Sequence, residues 1–254
     1  MSIAHEVPGI SDAPARERTA ESTPALLRIL TIAAILGVII GLYMALVYAG
    51  TDAVQGDIQR IFYLHMPAFM GAFVAFSMTV VGGVMYLRTR QTKWDTLAVS
   101  GVEVGIALAL VNLITGMIWA RPIWNAWWTW DPRLTIEAIM ALTYSAYLVL
   151  RNAIETTETR RRFAAVYGIL AIVTVLLTLV ISRIRPDTIH PTVFGPSSQN
   201  AQGGFAVSGG MGAAIGVNML VWALLVPATL LWYRIRLQDK LEKLANVKAS
   251  LFNR

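Results

Sequence analysis

Apolar residues gather into six long runs separated by short polar stretches. The runs cover about Leu26–Ala49, Phe62–Leu87, Leu97–Trp119, Leu134–Leu150, Phe163–Ser182 and Gly209–Tyr233, the fourth being the shortest. A helix crossing the hydrocarbon core of a bilayer needs roughly 20 mostly apolar residues. Its backbone must also satisfy its own hydrogen bonds there. The pattern therefore predicts an all-α, polytopic membrane protein with six transmembrane helices. The first run is too long for a signal-peptide core and reads as an uncleaved span. Residues 1–24 are polar, mixed in charge and contain three prolines, which predicts a disordered tail. The expected organisation is a tail over 1–24, a six-helix membrane domain over 25–233 and a basic tail over 234–254.

Composition agrees with this reading. The 254 residues are 56% hydrophobic and only 14% charged, against about 25% charged in soluble domains. Lys and Arg divide unevenly between alternate connections. Sixteen fall in the two terminal segments and loops two and four; five, Arg60, Arg121, Arg133, Arg183 and Arg185, fall in loops one, three and five. Because positive charge stays on the cytoplasmic side, both termini are expected in the cytoplasm, with loops one, three and five outside. The net charge of +6 is accounted for in the same way and does not point to nucleic acid. The chain has no cysteine, which excludes disulfides, thiolate metal sites and a CxxCH haem-attachment site within it.

The candidate chemistry lies in loops one, three and five. Five of the eight tryptophans, Trp119, Trp124, Trp127, Trp128 and Trp130, fall within twelve residues of external loop three, just before Asp131-Pro132-Arg133. Trp124, Trp127 and Trp128 are spaced i, i+3 and i+4, so a short interfacial helix would place their rings on one face. Such a shelf suits a flat, polarisable ligand. Arg121 and Arg133 flank it and offer forked donors to carboxylates. Haem combines a flat macrocycle with two acidic edge groups, and histidine is its commonest axial ligand. His5 lies in the tail on the other side. His65 opens span two and His190 lies in loop five, both on the tryptophan side.

The segment Trp119-Ala-Arg-Pro-Ile-Trp-Asn-Ala-Trp-Trp-Thr-Trp-Asp131-Pro-Arg133-Leu-Thr135 resembles the WWD signature of the haem-handling proteins. With six spans, Arg60 to Pro67 around the first histidine, Glu137 beyond the loop and a histidine in loop five, the chain is most similar to the cytochrome c maturation family CcmC. Ala120 and Asn125 stand where that motif usually has glycine, and Pro132 is inserted between Asp131 and Arg133. The resemblance implies that haem b, as transient cargo, is held at the outer face of the bacterial cytoplasmic membrane. His65 and His190 would be axial ligands, with the five tryptophans and Asp131 shaping the docking surface and Arg121, Arg133 and Arg60 or Arg185 meeting the propionates. It also implies handover to a periplasmic CcmE-like chaperone and association with CcmD and the transporter subunits CcmA and CcmB. On this reading the chain is a transfer protein and not an enzyme. The rival reading is a component of a cytochrome c haem lyase, which needs the same loop and histidines.

Other residues carry structural expectations. The pairs Gly101/Gly105 and Gly212/Gly216 predict close helix contacts. Glu103, within span three, is expected to bond between helices. Glu137 is expected to pair with Arg133 at i, i+4 and support the loop, with Tyr63 tying in nearby. The basic stretch from Arg234 to Lys248 is expected on anionic lipid of the inner leaflet.

Overall fold

A computed structural model describes residues 23–185, 187–191 and 209–252. Among these residues the chain is helical with no strand. The elements are α1 (Ala25–Tyr43), α2 (Phe62–Thr89), α3 (Thr92–Trp124), α4 (Pro132–Ala153), α5 (Thr157–Ile184), α6 (Gly209–Leu220) and α7 (Val226–Phe252). A π-helical turn, Met44–Tyr48, extends α1, and another, Val221–Leu225, joins α6 to α7. Counting these continuations, six helices are long and apolar enough to cross a membrane, as the six runs predict. The tail expected over 1–24 lies almost wholly outside the described residues, as do His5 and Pro186. The expected basic tail from Arg234 onward continues α7 as helix to Phe252.

Helix ends follow from local chemistry. Asp131 caps α4: its carboxylate accepts the backbone N–H of Arg133 at 2.9 Å, and Pro132 occupies the first helical position. A proline is favoured there because its missing N–H would be unpaired anyway. The link from α2 to α3 is only two residues, Arg90 and Gln91, and Arg90 adopts the left-handed conformation at φ 60° that ends a helix.

The centre of the bundle is α2. It packs most extensively on α3 and also on α5. Phe76 stacks on Tyr144 of α4 with ring centres 3.6 Å apart, beside buried Val102, Met140, Tyr147 and Val175. Small residues admit this closeness. A Cβ on Gly101 would lie 2.5 Å from Thr79 Oγ1, and one on Gly105 would lie 2.4 Å from the Phe76 ring. Gly212 and Gly216 differ from expectation: among the described residues nothing approaches within 4 Å of a Cβ there. Close glycines of the last span's interface are contributed by its neighbours, Gly37 and Gly41 on α1 and Gly71 on α2. Gly71 on α2 faces the carbonyl oxygen of Trp222, which a Cβ would meet at 2.2 Å.

Two carboxylates at the end away from the tryptophans are paired with arginines. Asp95, 2% exposed, receives two bonds from Arg151 at 2.7 and 2.6 Å. Glu103 does bond between helices, and its partner is Arg234 of α7 (Nη2 to Oε1 2.7 Å).

Candidate functional site

A cavity of about 220 Å³ lies at the end of the bundle that carries the tryptophans, between α2, α3, α4, α5 and the segment after α5. His65, His190, Trp119, Trp124, Trp127, Trp128 and Arg133 all line it. These seven residues come from three of the chain's connections or helix ends and converge only in the fold. Arg60, Arg121, Trp130 and Asp131 do not line it.

His65 sits one turn into α2. Its Nδ1 lies 3.0 Å from the carbonyl oxygen of Asn112 and 3.2 Å from Thr115 Oγ1, both on α3. Asn112 also donates from Nδ2 to the His65 carbonyl at 2.7 Å. That carboxamide ties the two helices at the histidine. Gly116 completes the seat, since a Cβ there would stand 3.0 Å from His65 Cε1. A carbonyl acceptor at Nδ1 places the proton on that nitrogen and leaves Nε2 with a free lone pair.

His190 is held in the same manner, with Nδ1 2.9 Å from the Pro191 carbonyl oxygen. Its segment is irregular and is fastened through Asp131. The Asp131 carboxylate accepts the Thr188 hydroxyl at 2.8 and 2.9 Å and the Ile189 N–H at 2.7 Å. Asp131 is thus both the helix cap of α4 and the anchor of the second histidine. Burial holds the His190 pKa well below the usual histidine value, and the positive charge of Arg133 and the neighbouring His65 act in the same direction.

The two imidazole centres are 6.5 Å apart, with planes inclined by 32°. An iron bound by both rings requires two metal–nitrogen bonds of ~2 Å, and each Nε2 lies ~1 Å from its ring centre, giving a separation of ~6 Å. The spacing fits a metal between the rings. Among the described residues no cluster of three or more His, Cys, Asp or Glu forms a metal-ion set.

The aromatic wall is ordered from the helix end outward. Trp119 donates from Nε1 to Gln55 Oε1 at 2.9 Å and meets Trp124 edge to face at 5.0 Å. Trp124 in turn lies edge-on to His190 at 6.4 Å. The expected short helix through Trp124, Trp127 and Trp128 is not formed. Helix α3 runs on to Trp124 and stops because Asn125 takes the left-handed conformation at φ 54°. Asparagine is among the few non-glycine residues that adopt it readily. Beyond it, Trp127 is half exposed and Trp130 81% exposed; Trp130 packs edge-on to Trp128 at 6.0 Å.

Arg133 lies under this wall. Its Nη1 donates to the Thr178 carbonyl at 2.9 Å and to Ser182 Oγ at 3.3 Å, and its guanidinium stands over the Phe69 ring. The expected i, i+4 ion pair with Glu137 is absent. Instead Arg133 Nε and Glu137 Oε1 are both buried without a hydrogen-bond partner. Buried orphans of this kind cost about 1–3 kcal/mol each, and both residues line the cavity. They are poised for polar groups of a ligand.

The remaining arginines serve loops. Arg60 bonds Asp57 (3.0 Å), Thr51 (3.1 Å) and the Leu46 carbonyl, holding α2 to the end of α1. Arg121 bonds Asn125 at the helix end. Arg185 pairs with Asp187 at 2.8 and 2.7 Å. Arg183, by contrast, lines the cavity. Sequence reasoning missed Asn112, Thr115, Gly116, Gln55 and Thr188. Only Asn112, a carboxamide within an apolar span, carried a visible signal.

Comparison with known proteins places these observations in a family. The family model described as Heme exporter protein C matches residues 11–240. Heme exporter protein C of Paracoccus denitrificans is 35% identical over 127 residues, 50% of this chain and 53% of its own length. That of Rhodobacter capsulatus is 33% identical over 141 residues, 56% of this chain and 57% of its own. That of Escherichia coli K12 is 30% identical over 148 residues, 57% and 59%. The chain thus spans somewhat over half the length of the curated relatives it matches.

Proposed function

Because the chain belongs to the Heme exporter protein C family and is a multi-pass membrane protein, we propose that it holds haem for cytochrome c biogenesis, with His65 and His190 as axial ligands. The observation that carries this reading is the 6.5 Å separation of two imidazoles whose Nδ1 atoms each meet a backbone carbonyl. Trp119, Trp124, Trp127 and Trp128 form the surface against the macrocycle. Arg133, with Arg183 beside it, meets the propionates; Arg60, Arg121 and Asp131 act at one remove by fixing the loops.

Haem here is cargo, and the exchange of ligands is the mechanism. The cavity is smaller than the ~300–1,000 Å³ of sites that engulf a ligand, so one edge of a porphyrin stays outside, where a partner reaches it. His65 is fixed to two packed helices. His190 rides on an irregular segment fastened to Asp131 by the Thr188 hydroxyl and the Ile189 N–H. The softer ligand is the one surrendered, so release begins at His190 and a CcmE-like chaperone supplies the replacing bond. This makes the chain a binding and transfer protein with no bond-making role of its own.

The charge count of alternate loops supports placing this end on the periplasmic side of the bacterial cytoplasmic membrane, with the first 24 residues and the basic α7 extension in the cytoplasm. CcmD, CcmA and CcmB are the partners expected there, together with membrane lipid. The test is purification of the full chain with haem. A Soret band is expected, shifted in His190→Ala and lost in His65→Ala/His190→Ala, with haem passing to a co-purified chaperone. Unchanged spectra in the double variant refute the axial assignment.

A further inference from the structure

A second cavity of about 720 Å³ lies at the opposite end of the bundle. Helix α3 floors it; the ends of α4 and α5 form one wall and α7 the other. Helix α7 packs on α3 and not extensively on α4 or α5, so the cavity is a crevice between them. A long contact bridges it, Arg161 to Glu242 at 3.5 Å.

Four arginines line the crevice: Arg151, Arg160, Arg161 and Arg234. Three carboxylates answer them. Asp95 at the back is shared between Arg151 at 2.6 Å and Arg161 at 3.2 Å, Glu103 takes Arg234, and Glu242 reaches Arg161. Arg160 has no ion-pair partner among the described residues, and its Nε is buried without a hydrogen bond. The walls thus carry one positive charge in excess, centred on Arg160 and the loosely bridged Arg161.

The α7 wall is amphipathic in an unusual sense. Gln238, Glu242 and Asn246 turn toward the crevice, while Leu237, Leu241, Leu244, Val247 and Leu251 on the same helix are exposed. A polar face turned inward and an apolar face turned outward suit a wall standing at the level of the lipid headgroups.

We propose that this crevice binds a singly charged phosphodiester, as carried by the headgroup of an anionic phospholipid, through Arg160 and Arg161. One negative charge neutralises the excess, and guanidinium forks match phosphate oxygens. Basic pockets between helices on the cytoplasmic side, where the loop charges put this end, are where anionic headgroups bind.

The test uses the full chain in detergent, titrated with dimyristoyl phosphatidylglycerol, dimyristoyl phosphatidylcholine or inorganic phosphate, reading the shift in Tm. Phosphatidylglycerol should stabilise the wild type and phosphatidylcholine should not. Arg160→Gln should weaken the apparent affinity about tenfold. Arg88→Gln, an exposed position of the same charge at the same end but outside the crevice, should leave it unchanged. Asn152→Asp, which adds a negative charge to the wall without removing an arginine, should also weaken it. Stabilisation by inorganic phosphate at equal concentration, lost in Arg160→Gln, retains the site and assigns it to free phosphate. Equal responses of wild type, Arg160→Gln and Arg88→Gln overturn the proposal.

Discussion

The carboxylate of Asp131 accepts the hydroxyl of Thr188 at 2.8 Å, 57 residues along the chain. This bond fastens the tryptophan loop to the segment bearing His190, and a single acidic side chain thereby sets both. Asp131→Asn keeps the shape but loses the charge that gathers the three donors. A loss of haem affinity of roughly 10–100-fold is expected, as for removal of other groups that orient a metal ligand. Thr188→Val should show a smaller loss of the same kind. Haem titration followed at the Soret band measures both, and wild-type affinity in Asp131→Asn refutes the anchoring role.

Gly116 is the seat of His65. An alanine there puts a Cβ 3.0 Å from His65 Cε1, tighter than ordinary contact, so the ring must shift. Gly116→Ala should alter the haem spectrum with modest loss of binding. Gly116→Val should abolish axial ligation by His65 while far-ultraviolet circular dichroism stays unchanged. A normal spectrum in the valine variant removes the close approach from the account.

Gly71 and Gly212 make opposite predictions from the same residue type. Gly71→Ala drives a methyl against the Trp222 carbonyl and should destabilise by about 1–3 kcal/mol, as overpacking does. Gly212→Ala meets open space and should be neutral or slightly stabilising, since alanine favours helix. Thermal unfolding in detergent separates them; equal effects contradict the packing.

Asp95 and Arg151 form a buried pair at the end away from the cavity. Removing Asp95 leaves two arginines without their buried carboxylate and should cost about 3–5 kcal/mol, whereas removing Arg151 leaves Asp95 to Arg161 and should cost less. Replacing both, Asp95→Leu with Arg151→Met, should recover part of that loss, though Arg161 then keeps only the longer contact with Glu242. A double variant whose loss equals the sum of the two single losses shows that the pair is not coupled.

His190 sets an acid limit. Its folded-state pKa lies well below the ordinary 6.5, so the fold favours the neutral ring. The resulting stability is present above pH 6.5 and is lost as pH falls through the lowered value. The haem-free wild type should therefore lose Tm on acidification below pH 6.5 more steeply than His190→Gln. Parallel curves refute the shift.

The six spans were legible because lipid imposes one requirement on every residue of a crossing helix, and hydropathy reads it directly. The tryptophan run and the two histidines were legible as residue types concentrated on one side by charge counting. The helical shelf was misread because periodicity ignores backbone handedness: Asn125 turns left-handed and ends α3. The Arg133–Glu137 pair was misread because i, i+4 spacing says nothing of better acceptors on another helix, here Thr178 and Ser182. The arginines Arg60 and Arg121 were grouped with the cavity by proximity in sequence, while Arg183 reached it from α5.

The sequence by itself determined the class of the protein, its number of spans and the residue types at its working end, since burial in lipid and loop charge are properties of each segment taken alone. Only the tertiary structure decided that His65 and His190 stand 6.5 Å apart, that Asn112 and Asp131 hold them, and that a second crevice opens between α5 and α7. Such distances arise from contacts between segments far apart along the chain, and close packing, unlike hydropathy, has no local signature.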